Sequence, residues 1–271
     1  MSHSATTTAR GLRSKAAPST LVLRGLWSIL TLLAGCQPER PTDELVVVLD
    51  APPRTVDPRL AVDSPSARLS RLIFEGLTEV DDRGEAALVL AESITPGVDT
   101  DAHGLPLSYR VRLRTGLRFH DGRPLTGRDV AATYAAVMDS SFGTPISGAF
   151  RRRFSRVEVD PGDALVVHFR LRRPLATFMT DIVLGIAPAD LLHAPRRRFV
   201  GLPVGSGPWR LIAPWDPLRV RIERFAEHRH YRPPGPGEPR RLLLRAIADE
   251  GARVLSVLGG GADVAMGGLS P

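Results

Sequence analysis

The chain has 271 residues, 43% of them hydrophobic and 24% charged, the mix of a chain that buries a core, and this excludes wholesale disorder. Its formal charge is +7, but Lys15 is the sole lysine and the arginines are scattered through strands and loops. That dispersion is not the one-sided basic stripe with which proteins hold nucleic acid, so a nucleic-acid partner is not expected.

Arg10, Arg13, Lys15 and Arg24 precede a short apolar run from Leu26 to Leu33, which leads into Ala34, Gly35 and Cys36. A basic stretch, a short apolar core and small residues before a cut make a secretory signal. The run is too short to span a bilayer, which takes about 20 apolar residues. Leu33-Ala34-Gly35-Cys36 resembles the bacterial lipobox, in which the cysteine takes a diacylglycerol and becomes the new N-terminus. A thioether to lipid accounts for a lone cysteine better than half a disulfide does; the alternative is a buried cysteine behind an uncleaved apolar helix. Residues 1–36 therefore read as a lipoprotein signal and lipobox, and 37–44, with Pro38 and Pro41 among charges, as a tether.

Leu45 to Leu49 is a continuous apolar run of strand length, the pattern of a central strand buried on both faces. Ser64-Pro65 opens a helix, with the serine as cap and proline where a missing N–H is harmless. Leu69, Leu72 and Ile73 form its buried face and Gly76 is expected to close it. Thr78-Glu79-Val80 is a short strand into the turn Asp81 to Gly84. Tyr109, Val111 and Leu113 alternate with arginines, the period of a half-exposed strand. Thr126 and Asp129 make an acidic capping box for a helix carrying Val130, Tyr134, Val137 and Met138. Val157-Glu158-Val159, the turn Asp160 to Asp163 and the run Ala164 to Leu171 form a β-hairpin burying Leu165, Val167, Phe169 and Leu171. Arg151-Arg152-Arg153 and Arg196-Arg197-Arg198 read as solvated loops. The glycine-rich stretch Pro203 to Pro208 feeds a strand, Trp209 to Ile212. Strands then follow over Val220 to Phe225 and Leu242 to Ile247. Asp249 begins a last helix carrying Val254, Leu255 and Leu258; glycines 259 to 261 stop it before a strand at Asp263 to Met266. The class is mixed α/β.

In this order, several segments carry a family likeness: Arg54-Thr55-Val56-Asp57-Pro58, Phe74-Glu75-Gly76-Leu77, Ala91-Glu92-Ser93, the long stretch Leu113 to Thr126 continued by Asp129-Val130, Val204 to Trp209, and Asp249-Glu250 to Asp263-Val264. Together they resemble the extracytoplasmic solute-binding proteins of ABC transporters, in the oligopeptide-, dipeptide- and nickel-binding family (family 5). Ile94 stands where the family has tryptophan, Phe225 to His228 replace an Asn-Pro-x-Tyr box, and Gly251-Ala252 replace a threonine. The resemblance implies a periplasmic-binding-protein-like (class II) lobe over 45–80 and 196–271, with a hairpin-rich α+β subdomain inserted over 81–195. Family members are much longer, so it also implies that a second large lobe, and half of a ligand cleft, is missing.

Phe119-His120-Asp121-Gly122 could be a catalytic or metal site, or a tight turn with His120 bonded to backbone. His228 and His230 could chelate a metal only as a weak pair. Gly205-Ser206-Gly207 lacks the lysine and helix of a phosphate loop and is better suited to close approach of backbone or ligand. No nucleophile elbow appears. No catalytic residue, metal or cofactor is therefore assigned. The resemblance points to Val62, Asp63 and Ser64 as cleft-lining ligand contacts, with Gly205, Ser206 and Gly207 as weaker ones; Asp63 and Ser64 equally suit a helix cap. The implied function is that of a lipid-anchored, extracytoplasmic receptor in the periplasm, with a peptide or other small solute as ligand, an ABC permease as partner and the membrane reached through Cys36. The alternative is a truncated or repurposed relative that binds a protein partner and no solute.

Overall fold

The computed structural model describes residues 41–192 and 203–267. Cys36, the tether up to Arg40 and the run Arg196 to Arg198 lie outside them.

Strand β1 (Glu44–Leu49) has Val46 to Leu49 buried, and it pairs in parallel on both sides. Its neighbours are β10 (Arg241–Ala246) and β11 (Val264–Met266). With β8 (Trp209–Leu211) and β9 (Arg219–Arg224), both antiparallel, they form a five-stranded sheet ordered β11-β1-β10-β9-β8. A strand hydrogen-bonded on both edges and covered on both faces must be apolar throughout, which explains the unbroken run in β1. Leu45 to Leu49 and Leu242 to Ile247 thus share one sheet, although Asp43 already belongs to the fold: its carbonyl accepts from Arg240 and Arg241.

Helix α1 (Ser64–Ile73) covers one face, burying Leu69 and Ile73 on Val47, Leu49 and Leu244. Full burial of two such side chains is worth about 1.5–3 kcal/mol each. Its cap is Asp63, which accepts from the Ser66 N–H, and not Ser64, which is the first helical residue and exposed. Gly76 does not close it either. The helix ends at Phe74, where the backbone turns extended, and Gly76 is needed because a Cβ there would lie 2.6 Å from the Val183 carbonyl oxygen.

A hairpin of β2 (Thr78–Val80) and β3 (Ala86–Leu88) leads to a four-stranded antiparallel sheet. Its strands are β4 (Ala91–Pro96), β5 (Ser108–Leu113), β6 (Phe154–Asp160) and β7 (Asp163–Leu171), ordered β4-β5-β7-β6. Helix α2 (Gly127–Met138) lies on it behind the capping box of Thr126 and Asp129. Tyr134 meets Phe150, Phe154 and Phe169 at centroid distances of 5.7, 5.7 and 5.0 Å, tilted to the first and edge-on to the other two, in a cluster that fills this second core. Arg151 to Arg153 are not loop residues; they form the last turn of α3 (Ser147–Arg153), where positive charge suits the helix C-terminus. Short helices α4 (Phe178–Asp181) and α5 (Ala189–Leu192) follow.

Helix α6 (Glu250–Leu258) packs on the opposite face of the five-stranded sheet, over Val46, Val48 and Leu243. Its buried residue is Arg253, held by the carbonyls of Ile247 and Ala248. Leu255 and Leu258, by their apolar character candidates for the core, are 69% and 78% exposed.

Candidate functional site

The carboxyl ends of β1, β10 and β11 point to the same end of the sheet, and α1 starts there. In open α/β sheets ligands bind outside the carboxyl ends of parallel strands, where loops and helix N-termini converge. The loop from Asp50 to Asp63 forms this crest, and buried polar contacts hold it. Asp57 takes Arg59 in a two-pronged pair, Oδ1 from Nε at 2.9 Å and Oδ2 from Nη2 at 2.7 Å, with both side chains 1% exposed. The Arg59 guanidinium stacks 4.3 Å over the Phe142 ring, and the Thr144 hydroxyl donates to the Arg59 carbonyl. The Ser66 hydroxyl accepts from the N–H groups of Arg54 and Thr55. A loop tied at so many points presents its remaining side chains without the entropy cost of ordering them at binding.

On that crest Val62 is 56% exposed, and Ser64 is exposed beside it. Asp63 has one carboxylate oxygen on the Ser66 N–H. Gly205, Ser206 and Gly207 are elsewhere. They are buried at the C-terminal end of α1, where the Gly207 N–H donates to the Ile73 carbonyl at 2.8 Å. Ten helical residues separate the two groups by about 15 Å, so they do not converge on one site. The glycines are there for close approach: a Cβ on Gly207 would lie 2.5 Å from the Leu72 carbonyl oxygen, and one on Gly205 would fall on that of Ile73.

His120 belongs to the same joint. Its Nδ1 accepts from the Gly205 N–H at 3.2 Å, its Nε2–H donates to the Gly207 carbonyl at 2.9 Å, and its backbone N–H donates to the Gly205 carbonyl. Burial pushes the imidazole down to about 4, so the neutral ring is the one that fits. Asp121 and Gly122 supply the turn, with Gly122 at φ +83°.

A second polar knot joins Glu75, of the Phe74 to Leu77 box, to His228 and Arg229 far along the chain. Glu75 accepts from His228 Nε2–H at 3.0 Å and from both terminal nitrogens of Arg229 at 2.6 and 2.8 Å. Burial pushes this carboxyl up, but the bonds from His228 and Arg229 outweigh it and hold Glu75 below its ordinary value. His228 Nδ1 accepts the His230 N–H, so both His228 nitrogens are engaged and the His228–His230 pair offers no chelate. Among the described residues no three His, Cys, Asp or Glu side chains gather to hold a metal.

Beside the crest, a groove of about 700 Å³ runs along the flank of α1 between Ser64 and Leu72, floored by Leu49, Leu244 and Met266. Arg68 and Arg71 stand exposed on its wall.

The family model described as bacterial extracellular solute-binding proteins, family 5 Middle, matches residues 89–271. The chain belongs to this family. The glutathione-binding protein GsiB of Escherichia coli O1:K1 / APEC is 27% identical over 227 residues, which are 82% of this chain and 42% of that relative. Two solved structures share the fold. One is the oligopeptide-binding protein AppA of Bacillus subtilis in complex with a nonapeptide, with TM-score 0.67, 24% identity and coverage of 81% of this chain and 43% of the other. The other is NikZ of Campylobacter jejuni in complex with Ni(L-His), with TM-score 0.69, 21% identity and coverage of 82% and 43%. The chain spans less than half the length of these relatives.

Proposed function

We propose that this chain supplies one wall of a solute cleft in a lipid-anchored, extracytoplasmic receptor that binds peptides without acting on them and hands them to an ABC permease. The crest of Asp50, Ala51 and Val62 to Ser64 is that wall. The five-stranded sheet (45–80 and 196–271) is its lobe and 81–195 the inserted subdomain. The observation that carries the reading is the rigid crest at the carboxyl ends of the parallel strands, locked by the buried Asp57–Arg59 pair. A relative named for glutathione and another solved with a nonapeptide support a peptidic solute. One wall leaves water on the solute's other side, where each hydrogen bond nets about 1 kcal/mol or less. The chain of 271 residues is therefore expected to bind short peptides far more weakly than an enclosing cleft does. Titration with a mixed peptide library, followed by backbone amide NMR, tests this. Shifts confined to residues 50–51 and 62–64 that saturate only at high peptide concentration are expected. Peptide that perturbs residues elsewhere, or none, removes the crest as solute wall.

A further inference from the structure

The pair that locks the crest is local. Asp57 and Arg59 lie two residues apart, so their bond fixes the turn they share but not where that turn sits. The turn carries the crest directly: the Asp57 carbonyl accepts the N–H groups of Leu60 and Ala61, both at 2.9 Å, and the Leu60 carbonyl accepts that of Val62. Any rotation of the turn therefore moves Val62 and the residues that follow it. Before the turn, the Ser66 hydroxyl and the buried side chain of Val56 hold the loop to the five-stranded sheet and α1. After Pro58 the hold passes to side chains from the loop between α2 and α3. The Phe142 ring lies flat under the Arg59 guanidinium, 4.3 Å from centroid to central carbon, and the Thr144 hydroxyl donates to the Arg59 carbonyl across 85 residues of chain. Both side chains are set locally. Asp139 caps the short helical turn Ser140–Phe142 through the Ser141 N–H, and the buried Thr144 hydroxyl also accepts the Ile146 N–H.

We propose that Phe142 and Thr144 are positioning residues of the solute wall, through which the inserted subdomain fixes how Val62, Asp63 and Ser64 are presented, an assignment that rests on reading that crest as the wall. The two side chains have separate tasks. A guanidinium spends its edge on the Asp57 carboxylate and leaves flat faces that form no hydrogen bonds; an aromatic ring covers one of them, and its negative face suits the buried charge. The hydroxyl fixes the main chain of the same residue. Side chain and backbone of Arg59 are thus held from one direction, and the turn cannot roll about its own ion pair.

Amide hydrogen exchange of the full chain, read residue by residue and paired with titration of a mixed peptide library, tests this. Phe142→Leu keeps apolar bulk and removes the ring face. It should speed exchange at Leu60, Ala61 and Val62 and weaken the peptide response of residues 62–64, each by roughly tenfold, the scale of a partly desolvated cation–π contact. Thr144→Val should loosen the same three amides. Phe142→Tyr restores the ring and should return both readouts to wild type. Val157→Ala thins the second core at β6, where Val157 pairs with Phe169. That variant should lower the melting temperature yet leave crest exchange and peptide response unchanged. A Phe142→Leu crest that exchanges like wild type overturns the proposal, and so does a crest that loosens equally in Val157→Ala. Wild-type protein whose crest ignores peptide removes the solute wall, and the exchange comparison then decides by itself whether Phe142 and Thr144 position the loop.

Discussion

Asp57 and Arg59 form a fully buried ion pair two residues apart, and its energetics are asymmetric. Removing one partner leaves a charge in the interior, which costs about 3–5 kcal/mol, whereas replacing both with apolar side chains is often nearly neutral. Asp57→Asn should therefore lower the urea midpoint strongly, and Asp57→Leu with Arg59→Met should recover most of the loss; strict additivity in this cycle would contradict the pairing. His120 carries a pH dependence of definite sign. Its folded pKa is depressed to about 4 by burial, while the unfolded imidazole takes a proton near 6.5. As pH falls from 6.5 toward 4 the unfolded chain binds the proton first. The stabilisation from neutral His120 is thus complete above 6.5 and is lost across that window, by at most about 3 kcal/mol. His120→Asn should flatten this slope in urea midpoints measured from pH 7.5 to 4.5.

At the scale of elements, the Gly205 to Gly207 loop is a close joint: it crosses the C-terminal carbonyls of α1 and binds His120 through its own backbone. Gly205→Ala places a methyl group on the Ile73 carbonyl oxygen, and the backbone must move to relieve it. A loss on the order of 1–3 kcal/mol in thermal or urea unfolding is expected, the range of overpacked interiors; an unchanged midpoint would show that the loop does not press on the Ile73 carbonyl. Local signals named most elements. The apolar run of β1, the alternation in β5, the capping box of α2 and the Asp-Pro-Gly-Asp turn between β6 and β7 were all legible because each depends on neighbours within a few residues. Strand β3 and the helical turn at Arg151 to Arg153 were not, since they have too few residues to show a period, and β4 was not because Ala91 to Pro96 carries a single large apolar residue, Ile94, and so no alternation.

At the scale of the molecule, a lipid on Cys36 would tether the chain to a membrane. Wild-type protein should partition into membrane and carry the added mass of a diacylglycerol at Cys36. Cys36→Ser should lose that mass and shift toward the soluble fraction. If the variant partitions like wild type and neither protein is modified, the lipobox reading fails. Val62 and Ser64 stand on the crest because the Asp57–Arg59 pair and Ser66 hold the preceding loop, not through any feature of their own three-residue stretch.

The sequence by itself determined the α/β class, the elements with strong local periodicity, the N-terminal caps of α2 and α6, and the family through its ordered boxes. These follow from short-range sterics and hydrophobic pattern, which are written residue by residue. Only the tertiary structure decided which distant groups meet. Glu75 and His228, 153 residues apart, form one knot, and β1 and β10 pair although some 190 residues of chain intervene. It also separated Val62 to Ser64 from Gly205 to Gly207, and left Leu255 and Leu258 in water. Apolar character and spacing say that a helix has a face to bury; what covers that face depends on the neighbours the fold brings to it.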